Sequence, residues 1–72
     1  MTYGEKAVGL SFNPSGDSAV HKLKSLYAQI IDHCNDARSN SESPEVKRLY
    51  SIAITEAQTA QMWAVKAETW RD

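Results

Sequence analysis

From Leu49 to Trp70 the chain runs without a glycine or a proline. Such a stretch commits to a helix of about six turns. Alternating steps of four and three link Val46, Tyr50, Ala53, Ala57, Ala60, Ala64 and Ala67, the spacing that lines side chains along one helical seam. Most of that seam is alanine, and small side chains let a second backbone come close, so a tightly packed neighbouring helix is expected. Leu49, Ile52, Trp63 and Trp70 fall on one flank of the seam, Ile54 and Val65 on the other. Together they exceed the roughly 100° stripe of a simple surface helix. One neighbour cannot cover such a surface; either a larger core or further copies of the chain must.

Seventy-two residues bound the alternatives. A core of this size seldom supplies more than about 3–5 kcal/mol unaided. A lone Cys34 excludes an intrachain disulfide. One thiol and no signal-like segment read as cytosolic, and no run approaches the 18 or so apolar residues of a membrane span. Oligomerisation is the remaining source of stability. The net charge of −1, from eight Lys+Arg against nine Asp+Glu, argues against a polymeric nucleic-acid binder but permits a small local anion site.

The chain divides simply. Residues 1–16 form an N-terminal segment and connector. Tyr3, Glu5, Lys6, Ala7 and Val8 form one helical turn or two that must dock to be ordered, and Asn13-Pro14 with Gly16 breaks regular structure. Ser15 or Asp17 caps a first long helix over 17–38, with Val20, Leu23, Tyr27, Ile30, Cys34 and Ala37 on its face, widened by Ala19, Leu26 and Ile31. The polar run Asn35–Ser43 marks the loop. Ser43-Pro44-Glu45 is a helix start, with a serine cap, proline at the first helical position and a carboxylate near the positive dipole end. A second long helix follows over 44–71. The expected fold is all-α: an antiparallel helical hairpin with a short N-terminal helical segment, assembling into a homo-oligomer.

His21, His33 and Cys34 are the soft metal ligands, and they lack zinc spacing. Asp32 and Asp36, four apart, read as a solvated face. No nucleophile-elbow motif is present, so neither an enzyme nor a cofactor is expected. Two clusters deserve weighing. Ser15, Gly16, Asp17 and Ser18 open a helix followed by His21, Lys22 and Lys24; helix N-termini with nearby cations attract phosphate, although capping plus surface lysines is the plainer reading. Trp63, Lys66 and Trp70 neighbour one another along the second helix. They could hold a base and a phosphate or simply be interface indoles beside a solvated lysine.

Two segments resemble a known family: Phe12-Asn-Pro-Ser-Gly16 followed by Val20 and Leu23-Lys24, and Gln61-Met-Trp-Ala-Val-Lys-Ala67, the more specific of the two. Together they resemble the small helical-hairpin proteins by which phages disarm the cyclic-oligonucleotide-based antiphage signalling system (CBASS). The resemblance covers nearly the whole chain. It implies a sponge that binds cyclic dinucleotides and cyclic trinucleotides, such as cyclic GMP-AMP and cyclic tri-adenylate, holds them intact and so keeps host effectors inactive. It also implies a homohexamer with dinucleotide sites between protomers, working in the cytoplasm of the infected bacterium with no membrane partner. In such a site an aromatic stacks on a base and a cation meets the phosphates. Tyr3, Lys6 and Phe12 are the candidates in the N-terminal segment, and Lys24 occupies the place of the family's lysine early in the first long helix. Some relatives carry a tyrosine where this chain has Leu10, so stacking falls to Tyr3 or another aromatic. Lys66, in the C-terminal run, is the candidate for a second site. Apart from the resemblance, the wide apolar flank also fits a non-catalytic interaction module docking on a larger protein.

Overall fold

The computed structural model describes residues 1–14 and 16–72; the capping role expected of Ser15 lies outside the described residues. Three helices follow in order: α1 (Tyr3–Ala7), α2 (Ser18–Asn40) and α3 (Pro44–Glu68). The described residues contain no strand, and the all-α hairpin is as expected. The molecule is a flat rod of 46 × 24 × 13 Å.

Each helix begins on a side-chain cap. Thr2 and Glu5 form a reciprocal capping box on α1, Asp17 accepts from Ala19 N–H and Val20 N–H on α2, and Ser43 accepts from Val46 N–H on α3, with Pro44 in the first turn. The loop is shorter than the polar composition implied. α2 continues to Asn40, because Asn35, Arg38 and Ser39 satisfy one another and the helix backbone: Arg38 Nη2 donates to Asn35 Oδ1, and Ser39 Oγ to the Asn35 carbonyl. At the other end α3 stops at Glu68. The Thr69 hydroxyl and N–H both bond back to the Val65 carbonyl, and Trp70 lies beyond the cap.

A five-residue helix is unstable alone; α1 persists because it lies flat on α2. A Cβ at Gly4 would overlap the Ala28 carbonyl oxygen, so only glycine permits this approach. The Gly4 N–H donates to Asp32 Oδ1 at 2.6 Å. Asp32 is therefore a docking group rather than part of a solvated face; its neighbour in the expected pair, Asp36, is exposed.

This docking turns the most buried face of α2 toward α1, while Leu23, Tyr27, Cys34 and Ala37 of the predicted seam stay partly buried. Val20, Lys24, Ala28 and Ile31 are buried, whereas Leu26 and Ile30 are about half exposed. The core is the cluster of Val8, Ala28, Ile31 and Ile54, with Tyr27, Cys34 and Ala57 packed against it. On α3 the alanine seam splits. Tyr50, Ala57 and Ala64 are partly buried, while Val46, Ala53, Ala60 and Ala67 face outward. α2 has taken the flank of Ile54, Gln61 and Val65, and the flank of Leu49, Ile52, Trp63 and Trp70 is left open. Arg38 ties the layers together: its guanidinium donates to Ser51 Oγ on α3 at 3.0 Å and lies 5.7 Å from the centroid of the Tyr3 ring.

Gly4→Ala is expected to undock α1. Hydrogen exchange should show protection lost over residues 3–8 but kept at Ile31 and Ile54; unchanged protection of the N-terminal segment would contradict the close-approach account.

Candidate ligand-binding groove

The connector between α1 and α2 is shaped by a turn and a buried cation. Gly9 has φ 62°, a left-handed conformation that glycine adopts without steric cost. Its N–H bonds to the Lys6 carbonyl, and its own carbonyl accepts the Phe12 N–H. Below this turn Lys24 is only 5 % exposed. A buried ammonium is costly unless it is hydrogen-bonded. Here Nζ donates to the Gly9 carbonyl at 3.1 Å and the Phe12 carbonyl at 2.5 Å, and it lies 5.5 Å from the Phe12 ring centroid. The next residues are held by Asn13, whose side-chain amide donates to the Asp17 carbonyl and accepts the Asp17 N–H.

The result is an open groove of about 490 Å³ between the connector and the C-terminal half of α3. Lys6, Phe12 and Lys24 line one side; Gln61, Met62 and Val65 line the other. Phe12 is 72 % exposed, so its ring has a face free to stack. Lys6 is exposed. The groove thus collects an exposed cation, a buried cation, an aromatic ring and a carboxamide, the functional groups that phosphates and base edges require. Gln61 was not singled out as a site residue by sequence reasoning. Its burial in a helix interior is the anomaly that could have drawn attention, and it opens the C-terminal motif.

The remaining predicted residues lie elsewhere. Tyr3 has Arg38 over its ring and does not line the groove. Lys66 sits between two indoles, 5.3 Å from the Trp63 centroid and 6.0 Å from that of Trp70, beside a shallow surface pocket that also includes Thr59 and Met62. At the start of α2, Asp17 spends its carboxylate on capping, in keeping with the plainer reading of that cluster, and Lys24 turns into the groove. A separate depression is lined by Met1, Leu10, Asn13 and His21. Among the described residues no group of His, Cys, Asp and Glu is arranged to hold a metal, and no helix is long and apolar enough to cross a membrane.

The hairpin, its connector and the C-terminal half of α3 all fall within residues 5–69, which match the family described as Acb2/Tad1, hairpin domain. The chain belongs to the Acb2/Tad1 hairpin family. Neither the curated proteins nor the solved structures include a match. The family is associated with anti-CBASS sponge activity. In this Acb2/Tad1 hairpin, both motif segments border the same groove: Phe12 and Lys24 come from the first, Gln61, Met62 and Val65 from the second.

Two substitutions separate the two lysines. Lys24→Met keeps the aliphatic stem but leaves the Gly9 and Phe12 carbonyls without their donor; urea denaturation should show a loss of about 1.5–3 kcal/mol. Lys66→Ala should cost less than about 1 kcal/mol, as expected for an exposed cation–π contact, while changing tryptophan fluorescence. Equal stability losses would contradict these placements.

Proposed function

We propose that the chain binds cyclic dinucleotide and cyclic trinucleotide second messengers and sequesters them without cleavage, so that host CBASS effectors are not activated. The family match over residues 5–69 carries this reading. The lining of the groove supports it. Lys6 and Lys24 meet the phosphates, Phe12 stacks on a base, and the Gln61 carboxamide reads a base edge. Tyr3 remains a candidate if the Arg38 guanidinium moves off its ring. Lys66, with Trp63 and Trp70, is proposed for a second class of site.

An open groove buries too little of a cyclic dinucleotide for tight retention, since small-ligand sites commonly enclose 70–90 % of the ligand surface. A second protomer closing over the groove supplies the missing wall, and the exposed apolar surface on α2 and α3 supports assembly into a homohexamer. The setting of this activity is the cytoplasm of an infected bacterium. The partners are the nucleotides and further copies of the chain, with no polymeric nucleic acid and no membrane.

Incubation with cyclic GMP-AMP, followed by denaturation and chromatography, should return the nucleotide unchanged; linear product would make the protein an enzyme. In a thermal-shift series, ligand at about 100 times its Kd should stabilise the protein by about 2.7 kcal/mol, and Lys6→Ala should weaken that response without altering the melting point of the free protein. A chain indifferent to all cyclic nucleotides, yet retained by a larger protein, would favour the interaction-module reading.

A further inference from the structure

Among the described residues two polar side chains are buried, Lys24 and Gln61, each 5 % exposed. Lys24 is satisfied by the Gly9 and Phe12 carbonyls. The Gln61 carboxamide, by contrast, has no hydrogen-bond partner among the described residues, yet no fully sealed side-chain nitrogen or oxygen goes unpaired. The amide atoms of Gln61 therefore reach an open surface, and the surface this residue lines is the groove.

The position itself calls for an apolar group. Gln61 stands two turns after buried Ile54 and one turn before partly buried Val65, on the flank of α3 that α2 covers. An apolar side chain there would extend the core cluster of Val8, Ala28, Ile31 and Ile54. A carboxamide taken out of water without a partner is destabilising instead, in a chain whose core is small. What Gln61 supplies in exchange is a donor group beside an acceptor, held across the groove from Lys6, Phe12 and Lys24.

That pattern discriminates among purines. A base stacked on the exposed Phe12 ring, with its phosphates at the lysines, turns an edge toward α3. A carboxamide pairs at two points only with an edge that sets a donor beside an acceptor. Adenine offers this on both of its edges, N6–H with N7 and N6–H with N1. The N7 edge of guanine carries two acceptors, N7 and O6, and would leave the Gln61 oxygen unpaired. The other guanine edge offers O6 with N1–H but adds the N2 amino group, which would lie against Met62 and Val65 without an acceptor.

We propose that Gln61 is the base-selecting residue of the groove and that the base it selects is adenine, so that rings containing adenine are held in preference to rings containing guanine alone. This rests on the nucleotide-binding reading above and names the base. The carboxamide that is unpaired in the free protein gains its partners when the base arrives.

Titration calorimetry with cyclic di-AMP and with cyclic di-GMP tests it on the wild-type chain, Gln61→Met and Gln61→Glu. The wild-type chain should bind the adenine ring about tenfold more tightly, within the range of one two-point base contact. Gln61→Met, similar in volume but without the amide, should bring the two affinities level; without nucleotide it should melt at or above the wild-type temperature. Gln61→Glu presents acceptors alone, which suit the N1–H and N2–H donors of guanine, and should reverse the order. Equal affinities in the wild-type chain, a wild-type preference for cyclic di-GMP, an adenine preference that survives in either variant, or a lowered melting temperature in Gln61→Met would each overturn the inference. A wild-type chain that binds neither ring would remove the nucleotide-binding reading and this inference with it, whereas binding of both without preference removes the inference alone.

Discussion

The Lys24 ammonium holds the site together. It is buried in a chain whose hydrophobic core is small, and it is stabilised by two backbone carbonyls of the connector and the face of Phe12. Those same bonds set the path from α1 to α2, the height of Phe12 above α3 and the width of the groove. A cation in this position has two roles that cannot be separated by removing it: it orders the connector, and it gives the groove a fixed positive charge. Lys6, at the rim and without a structural duty of that kind, is the group through which the proposed ligand affinity would change while the fold is left alone.

The distribution of apolar surface follows from how few residues there are to cover it. α3 is apolar around much of its circumference, and a hairpin has one other long helix to offer. α2 takes the flank of Ile54 and Val65, while α1 and the connector cover the adjoining side. What remains is a stripe with coiled-coil spacing that water meets unfavourably. In the proposed assembly stability and function are linked: covering the stripe would also bring protomers close enough to complete an open groove.

Much of this was legible in the sequence. The absence of Gly and Pro from 49–70, the Ser43-Pro44-Glu45 start and the excessive width of the α3 apolar surface give the hairpin and the apolar flank that α2 leaves exposed. Periodicity did not reveal which flank α2 would choose, because several faces of α3 were apolar enough. The rotation of α2 depended on Gly4 approaching Ala28 and on Asp32 receiving the Gly4 N–H, contacts between residues distant in the chain that no local pattern encodes. Lys6, Phe12 and Lys24 were singled out in sequence and share the groove. Tyr3 was grouped with them by proximity in the chain, but Arg38, 35 residues later by numbering, draws its ring to the opposite end of α2. Gln61 went unnoticed because a glutamine on a helix is ordinarily exposed; its burial is evident only once α2 and the connector are packed around it.

A crystal structure of the assembled protein grown with cyclic GMP-AMP tests the central claim most directly. The account predicts an intact nucleotide between protomers, with its phosphates near Lys6 and Lys24 and one base against Phe12. A nucleotide bound away from that groove, or a fully ordered assembly with the groove empty at saturating ligand, would contradict it.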